Sequence, residues 1–196
     1  MAERPPLERR PAAVRQSGLL HALPAQASWI LRGDSRVMAA AGTALGLTLS
    51  THPCRASLQG ARAALWLGPD EQLLLVPEKE GATLGQALLK ALAPLPHALV
   101  DVSHRQVHLE MHGAAAAWCL NVGCPLDLEL ASFPAGMCTR TVLAKAQIVL
   151  WRPAEWIFRV LVARSYADYV SRFLVEAARE LQPPAQTDDI QTPSDP

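Results

Sequence analysis

The stretch VDVSHRQVHLEMHG, Val100 to Gly113, carries three of the chain's six histidines, His104, His108 and His112, spaced four apart. On a helix that spacing lines one face with imidazoles, as in a zinc site. On a strand the residues sort differently: Val107, Leu109 and Met111 point one way, and Gln106, His108, Glu110 and His112 the other. Apolar and polar side chains alternate unbroken from Gln106 to His112, and Gly113 ends the run. The strand reading prevails. His104 then falls in a turn, and Val100 to Val102 close an earlier strand. The His108-x-Glu110-x-His112 face keeps the chemistry for a metal only if a non-local ligand joins it. Otherwise a polar strand face is solvated or lies in an interface.

Outward from this seam the chain echoes itself. Before it come a strand at SWILRG, a helix through RVMAAAGTALGL with Asp34 as N-cap, and a hairpin of ARAALWLG and EQLLLVP turning at Gly68, Pro69 and Asp70. The helix TLGQALLKAL, stopped by Pro94 and Pro96, and the strand HALVDV complete this half. After the seam the order recurs: strand QVHLEMHG, helix AAAAWCLNVG, a connection CPLDLELASFPAG, strand TVLAKAQIVLW, turn RPAE, strand WIFRVLV and a last helix. In that helix Tyr166, Tyr169, Val170, Phe173, Leu174, Ala177 and Leu181 form one stripe, with Ser165 as cap and Asp168 in the first turn. Leu31-Arg32-Gly33 parallels Met111-His112-Gly113, and WLGPDE parallels WRPAE. The expected class is α+β: two related βαββα-type halves with antiparallel sheets and packed helices. The expected boundaries are an extended N-terminal arm over 1–25, a first half over 26–103, a second over 104–182, and a disordered C-terminal tail over 183–196, both ends being rich in proline.

Composition narrows the function. Lys plus Arg equal Asp plus Glu at 18 each, so no net field points to nucleic acid or to anionic lipid. Charged residues are 18% and apolar ones 50%, which fits either a surface covered by another subunit or simple Ala and Leu enrichment. Charges or prolines interrupt every apolar run before it reaches a membrane span, and the N-terminus has Arg and Pro where an export signal needs an apolar segment, so a cytoplasmic location is expected. Cys54, Cys119, Cys124 and Cys138 form no CxxC pair and are expected as small buried hydrophobes in a reducing compartment. Neighbouring Asp101, Ser103 and His104 offer triad letters without triad geometry, because adjacent strand residues point to opposite faces. No glycine-rich phosphate loop occurs, so a nucleotide or flavin would need another chain.

The run VDVSHRQVHLEMHGAAAAWCL resembles the aminomethyltransferase (glycine-cleavage T-protein) superfamily, and its folate-binding domains supply the expected fold. Within that superfamily, LWLGPDEQLLLVPE, VDVSHR, GCPLDL, FPAGMCTRT, IVLWR and RSYADYV are similar to the gamma subunits of heterotetrameric sarcosine oxidase, over about residues 28 to 180. The resemblance implies a subunit of an oxidoreductase acting on a CH–NH donor. That complex demethylates sarcosine to glycine and hydrogen peroxide and passes the one-carbon unit to tetrahydrofolate. It also implies alpha, beta and delta subunits as partners, with FAD, FMN, NAD, tetrahydrofolate and zinc on those chains and none on this one. The family-motif or interface candidates are Asp101, Ser103, His104, Arg105, Gly113, Arg140, Trp151 and Arg164, with no catalytic, cofactor-binding or metal residue assigned. Folate-using T-proteins carry an acidic pair where Ala146 and Gln147 stand here, and this neutral pair supplies no carboxylate for the folate amine. The isolated chain is therefore expected neither to bind folate tightly nor to transfer one-carbon units. The alternatives are a stand-alone folate-binding aminomethyltransferase relative and a metal-dependent enzyme using His108 and His112.

Overall fold

The computed structural model describes residues 19–180. Residues 1–18 and 181–196, with most of the expected arm, all of the expected tail and Leu181, lie outside the described residues. The elements in chain order are β1 (Leu20–Ala22), β2 (Gln26–Arg32), α1 (Ser35–Leu45), β3 (Ala56–Gln59), β4 (Arg62–Gly68), β5 (Glu71–Pro77), α2 (Glu78–Leu92) and β6 (Ala98–Asp101). They continue with β7 (Gln106–His112), α3 (Ala116–Asn121), β8 (Cys138–Leu143), β9 (Ala146–Ala154), β10 (Ile157–Ala163), a 3-10 turn (Arg164–Tyr166) and α4 (Ala167–Arg179).

The strands make two five-stranded antiparallel sheets, in the orders β3-β4-β5-β2-β6 and β8-β9-β10-β7-β1. Alternation in the strands sorts their side chains into three cores. In β9, Ile148 and Leu150 face the helices α3 and α4, while Val149 and Trp151 face the other sheet. In β4, Ala64 joins the core under α1 and α2, while Ala63 and Leu65 meet Cys138, Val149, Trp151 and Leu161. The result is four layers, helices outside and two sheets back to back.

Helix α1 starts where Asp34 accepts bonds from the Arg36 and Val37 N–H groups (2.9 and 3.1 Å), and stops at Gly46 with φ 64°. Val37, Ala41 and Leu45 recur every four residues and are fully buried. Helix α2 begins five residues before the expected Thr83, because Pro77 leads into Glu78 and Glu80, acids that favour a helix N-terminus. It lies close on β2: a Cβ at Gly81 would stand 2.6 Å from that of Ala27.

Several expectations need correction. TVLAKAQIVLW is not one strand; Ala144, at φ 50°, turns the chain between β8 and β9. Strand β9 runs through Arg152-Pro153-Ala154, so the turn moves to Glu155 and Trp156. Ser165 does not cap α4 but sits in the 3-10 turn, and Tyr166 and Tyr169 are exposed; the buried stripe is Val170, Leu174, Ala177 and Ala178. Residues 20–22, assigned to the arm, form an edge strand beside β7, with Leu20 opposite Met111.

That last pairing reveals a strand exchange. Strand β1 precedes β2 in the chain but completes the sheet of β7, while β6 precedes β7 but completes the sheet of β2. At the opposite edge, an isolated bridge between Arg55 and Met137 joins the two sheets. There the Ala56 N–H donates to Gly136 O (2.8 Å) and the Cys138 N–H to Cys54 O (2.9 Å).

Candidate functional site

The exchanged strands bring the residues singled out at the seam together at one end of the molecule. Asp101 ends β6 and accepts from the Ser103 hydroxyl (2.6 Å) and the Ser103 N–H (2.9 Å). Those bonds hold its carboxyl below the ordinary range, the hydroxyl contributing most and burial opposing. Ser103 Oγ in turn accepts from the Ser28 N–H (2.9 Å), standing in for a ladder partner, while Val102 N–H donates to Ser28 O. Arg164 fastens the following turn, its Nε donating to His104 O (3.1 Å) and its N–H to Arg105 O (3.0 Å). His104 is exposed and, with Gln26, Trp29, Gly85, Leu89 and Asp101, borders a groove of about 490 Å³ between α2 and β6.

A second group lies between the sheets. His108 and Glu110, on the polar face of β7, are buried, not solvated. His108 Nδ1 lies 2.9 Å from Gln26 Oε1, and burial, aided by the Arg159 charge, lowers its pKa to about 4, so the ring is neutral at pH 7. Arg159 Nε donates to Glu110 Oε2 (2.5 Å), and His112 Nε2 lies 2.7 Å from Glu110 Oε1. Burial alone would raise the Glu110 carboxyl, but these two partners outweigh it and keep it below the usual range. The Arg159 guanidinium also stacks over Trp151, 4.9 Å from the ring centre. His21 meets the His112 ring edge-on at 5.6 Å.

Of the remaining candidates, Gly113 and Arg140 lie apart from these groups. Gly113, at φ 98°, turns the chain into α3 and donates to Trp156 O (2.9 Å). Arg140 on β8 pairs with Glu71 on β5, an exposed clasp between the sheets. Trp151 is 1% exposed, enclosed within the chain and out of reach of any partner surface.

Sequence reasoning missed Arg152. Its side chain is buried (3% exposed), lies over the Phe158 ring, and donates to the carbonyls of Leu128 (3.0 Å), Phe133 (2.7 Å) and Glu155 (2.6 and 3.0 Å). It thereby pins the long connection between α3 and β8. The available signal was a lone arginine directly after the apolar run IVLW.

Chemically, these groups are engaged with one another. Among the described residues no Ser, Thr or Cys side chain is hydrogen-bonded to a histidine ring, and no three His, Cys, Asp or Glu side chains converge to hold a metal. His108 and His112 instead bond Gln26 and Glu110. Among the described residues no helix is long and apolar enough to cross a membrane.

Residues 32–180 match the family described as "Sarcosine oxidase, gamma subunit family". The sarcosine oxidase subunit gamma of Corynebacterium sp. (strain P-1) is 34% identical over 148 residues, 76% of this chain and 70% of the relative. That of Arthrobacter sp. is 34% identical over 152 residues, 78% and 72% of the two chains. Among solved structures, heterotetrameric sarcosine oxidase from Corynebacterium sp. U-96 superposes with a TM-score of 0.77 at 31% identity, over 82% of this chain and 83% of that one. Glycine cleavage system aminomethyltransferase T from Bartonella henselae shares the fold alone, with a TM-score of 0.61 at 14% identity over 82% and 46%. Matched over most of its length in sequence and in fold, the chain belongs to the sarcosine oxidase gamma subunit family.

Proposed function

We propose that this chain acts as the non-catalytic gamma subunit of a heterotetrameric sarcosine oxidase, holding together alpha, beta and delta partners that carry the chemistry. The whole assembly demethylates sarcosine to glycine and hydrogen peroxide in the cytoplasm and hands the one-carbon unit to tetrahydrofolate. FAD, FMN, NAD, tetrahydrofolate and zinc belong to the partner chains. The observation that carries this reading is that the polar side chains at the seam are bonded within the chain: Asp101, Ser103, His108, Glu110, Arg159 and Arg164 each support a strand or turn of it. A folate site does not fit here, because Ala146 is fully buried and Gln147, exposed beside it, is neutral.

Assembly through this chain needs exposed anchors, and Trp118 and Trp156, 48% and 52% exposed, have the side chain most enriched at interface centres. Co-expression with the flavin-bearing chains tests the reading. The wild-type chain is expected to copurify with a flavin spectrum, and Trp118→Asp with Trp156→Asp to lose it while remaining folded. A chain that purifies alone in the presence of those partners, or that binds tetrahydrofolate below micromolar concentration, overturns the proposal.

A further inference from the structure

We propose that Cys54 and Cys138 are a disulfide-forming pair, a modification site for a peroxide oxidant at the corner where the two sheets join. The geometry is that of the bridge. Cys54 precedes Arg55, Cys138 follows Met137, and Arg55 is bridged to Met137, so the two cysteines stand opposite one another with Cys138 N–H donating to Cys54 O at 2.9 Å. Residues that face one another across an antiparallel pair have Cα atoms about 4.5–5.5 Å apart, inside the ~4.4–6.8 Å that a disulfide spans. Burial chiefly pushes the Cys138 thiol up to about 12, and the neighbouring Cys54 side chain adds to that shift.

Their environments differ and set the order of events. Cys138 is fully buried among Val149, Trp151 and Leu161, with its thiol donating to Trp66 O (3.6 Å), and it is poorly placed to meet an oxidant from solvent. Cys54 is half-buried in the turn after Pro53 and holds a backbone φ of 57°, a conformation that L side chains seldom adopt. Hydrogen peroxide therefore reaches Cys54 first: the O–O bond breaks, the sulfur is oxidised to the sulfenic acid Cys54–SOH, and one water leaves. The Cys138 sulfur then displaces the sulfenic oxygen, forming the S–S bond and releasing a second water. Cys119 and Cys124 lie in the separate core under α3 and α4. The link ties β3 to β8 and thus one sheet to the other. A peroxide source within the complex rests on the function proposed above; the pairing does not.

The test treats the purified full chain with added hydrogen peroxide, blocks the free thiols by alkylation, and digests with trypsin. The expected product joins peptide 37–55 to peptide 106–140 with loss of two hydrogens, and fragmentation places the bond on Cys138. Oxidised chain is expected to unfold roughly 5–10 °C higher than the same sample after reduction. Cys54→Ser, close in size at a half-buried position, is expected to give neither the linked peptide nor the shift. Recovery of Cys54 as sulfinic or sulfonic acid with Cys138 alkylated overturns the proposal, as does a link to Cys119 or Cys124, or an unmodified Cys54.

Discussion

Strands β2 and β7 occupy equivalent places in the two sheets and align residue for residue, from Gln26 with Gln106 to Gly33 with Gly113. On the side facing the helices both are apolar: Ala27, Trp29 and Leu31 in one, Val107, Leu109 and Met111 in the other. Between the sheets they diverge, Ser28 and Ile30 corresponding to His108 and Glu110. The helix-facing pattern carries the fold, because it alone holds each helix pair on its sheet. The inner face accepts an ion pair in one half and an isoleucine in the other, because the Glu110 carboxylate finds Arg159 and His112 there.

Substitutions at Arg152, His108, Glu110 with its partner Arg159, and Asp34 break or sharpen this contrast. The largest effect is expected at Arg152, which holds the connection 122–137, longer than its counterpart 46–55 in the first half. Arg152→Met leaves the carbonyls of Leu128 and Phe133 without their donor and should cost about 3–5 kcal/mol in denaturant unfolding. Arg152→Lys, with a charge but no fork, should fall between. A cost under about 1 kcal/mol for the methionine variant would rule out the pinning role.

His108→Ser installs the residue of the first half. In the folded chain His108 titrates near 4 against 6.5 for the free side chain, so its contribution is complete above pH 6.5 and is lost as pH falls toward 4. The loss amounts to about 3 kcal/mol, and the serine variant should show a correspondingly flatter stability profile over that interval. Parallel profiles for the two proteins would assign the acid sensitivity elsewhere.

Glu110→Ile likewise copies the first half, but it strands the Arg159 guanidinium and should cost about 2 kcal/mol. Adding Arg159→Leu should recover most of that loss, and a double variant no better than the single one would show that the pair is not coupled. The smallest effect belongs to Asp34→Ala, about 1 kcal/mol from the lost cap of α1. Helix α3, which has no side-chain cap, offers no equivalent to lose.

What the sequence made legible follows the same division. Alternation exposed the strand from Gln106 to His112, while continuous apolar runs on either side of Gly68, Pro69 and Asp70 exposed the hairpin of β4 and β5. Strand β3, with its half-buried and exposed ASLQ, had no such pattern. Ala144 concealed a turn because it adopts a glycine-like φ without being glycine. The seam was visible as a hinge of the pattern, yet the enclosure of His108 and Glu110 was not, since alternation says which residues share a face and not what covers it. The exchange of β1 and β6 was equally hidden: a three-residue edge strand carries too little hydrophobicity to announce its partner.

That exchange also has a consequence for how the chain is made. Leu20 emerges from the ribosome long before Met111, the residue it must pair with, so the earliest strand is among the last to find its place. Until β7 arrives, β1 has no sheet to join, and the first sheet lacks its edge until β6 follows α2. The second sheet cannot finish without a strand made before the first, and a ribosome stalled after α2 would present the first sheet with an open margin to whatever chaperone or partner chain stands nearest.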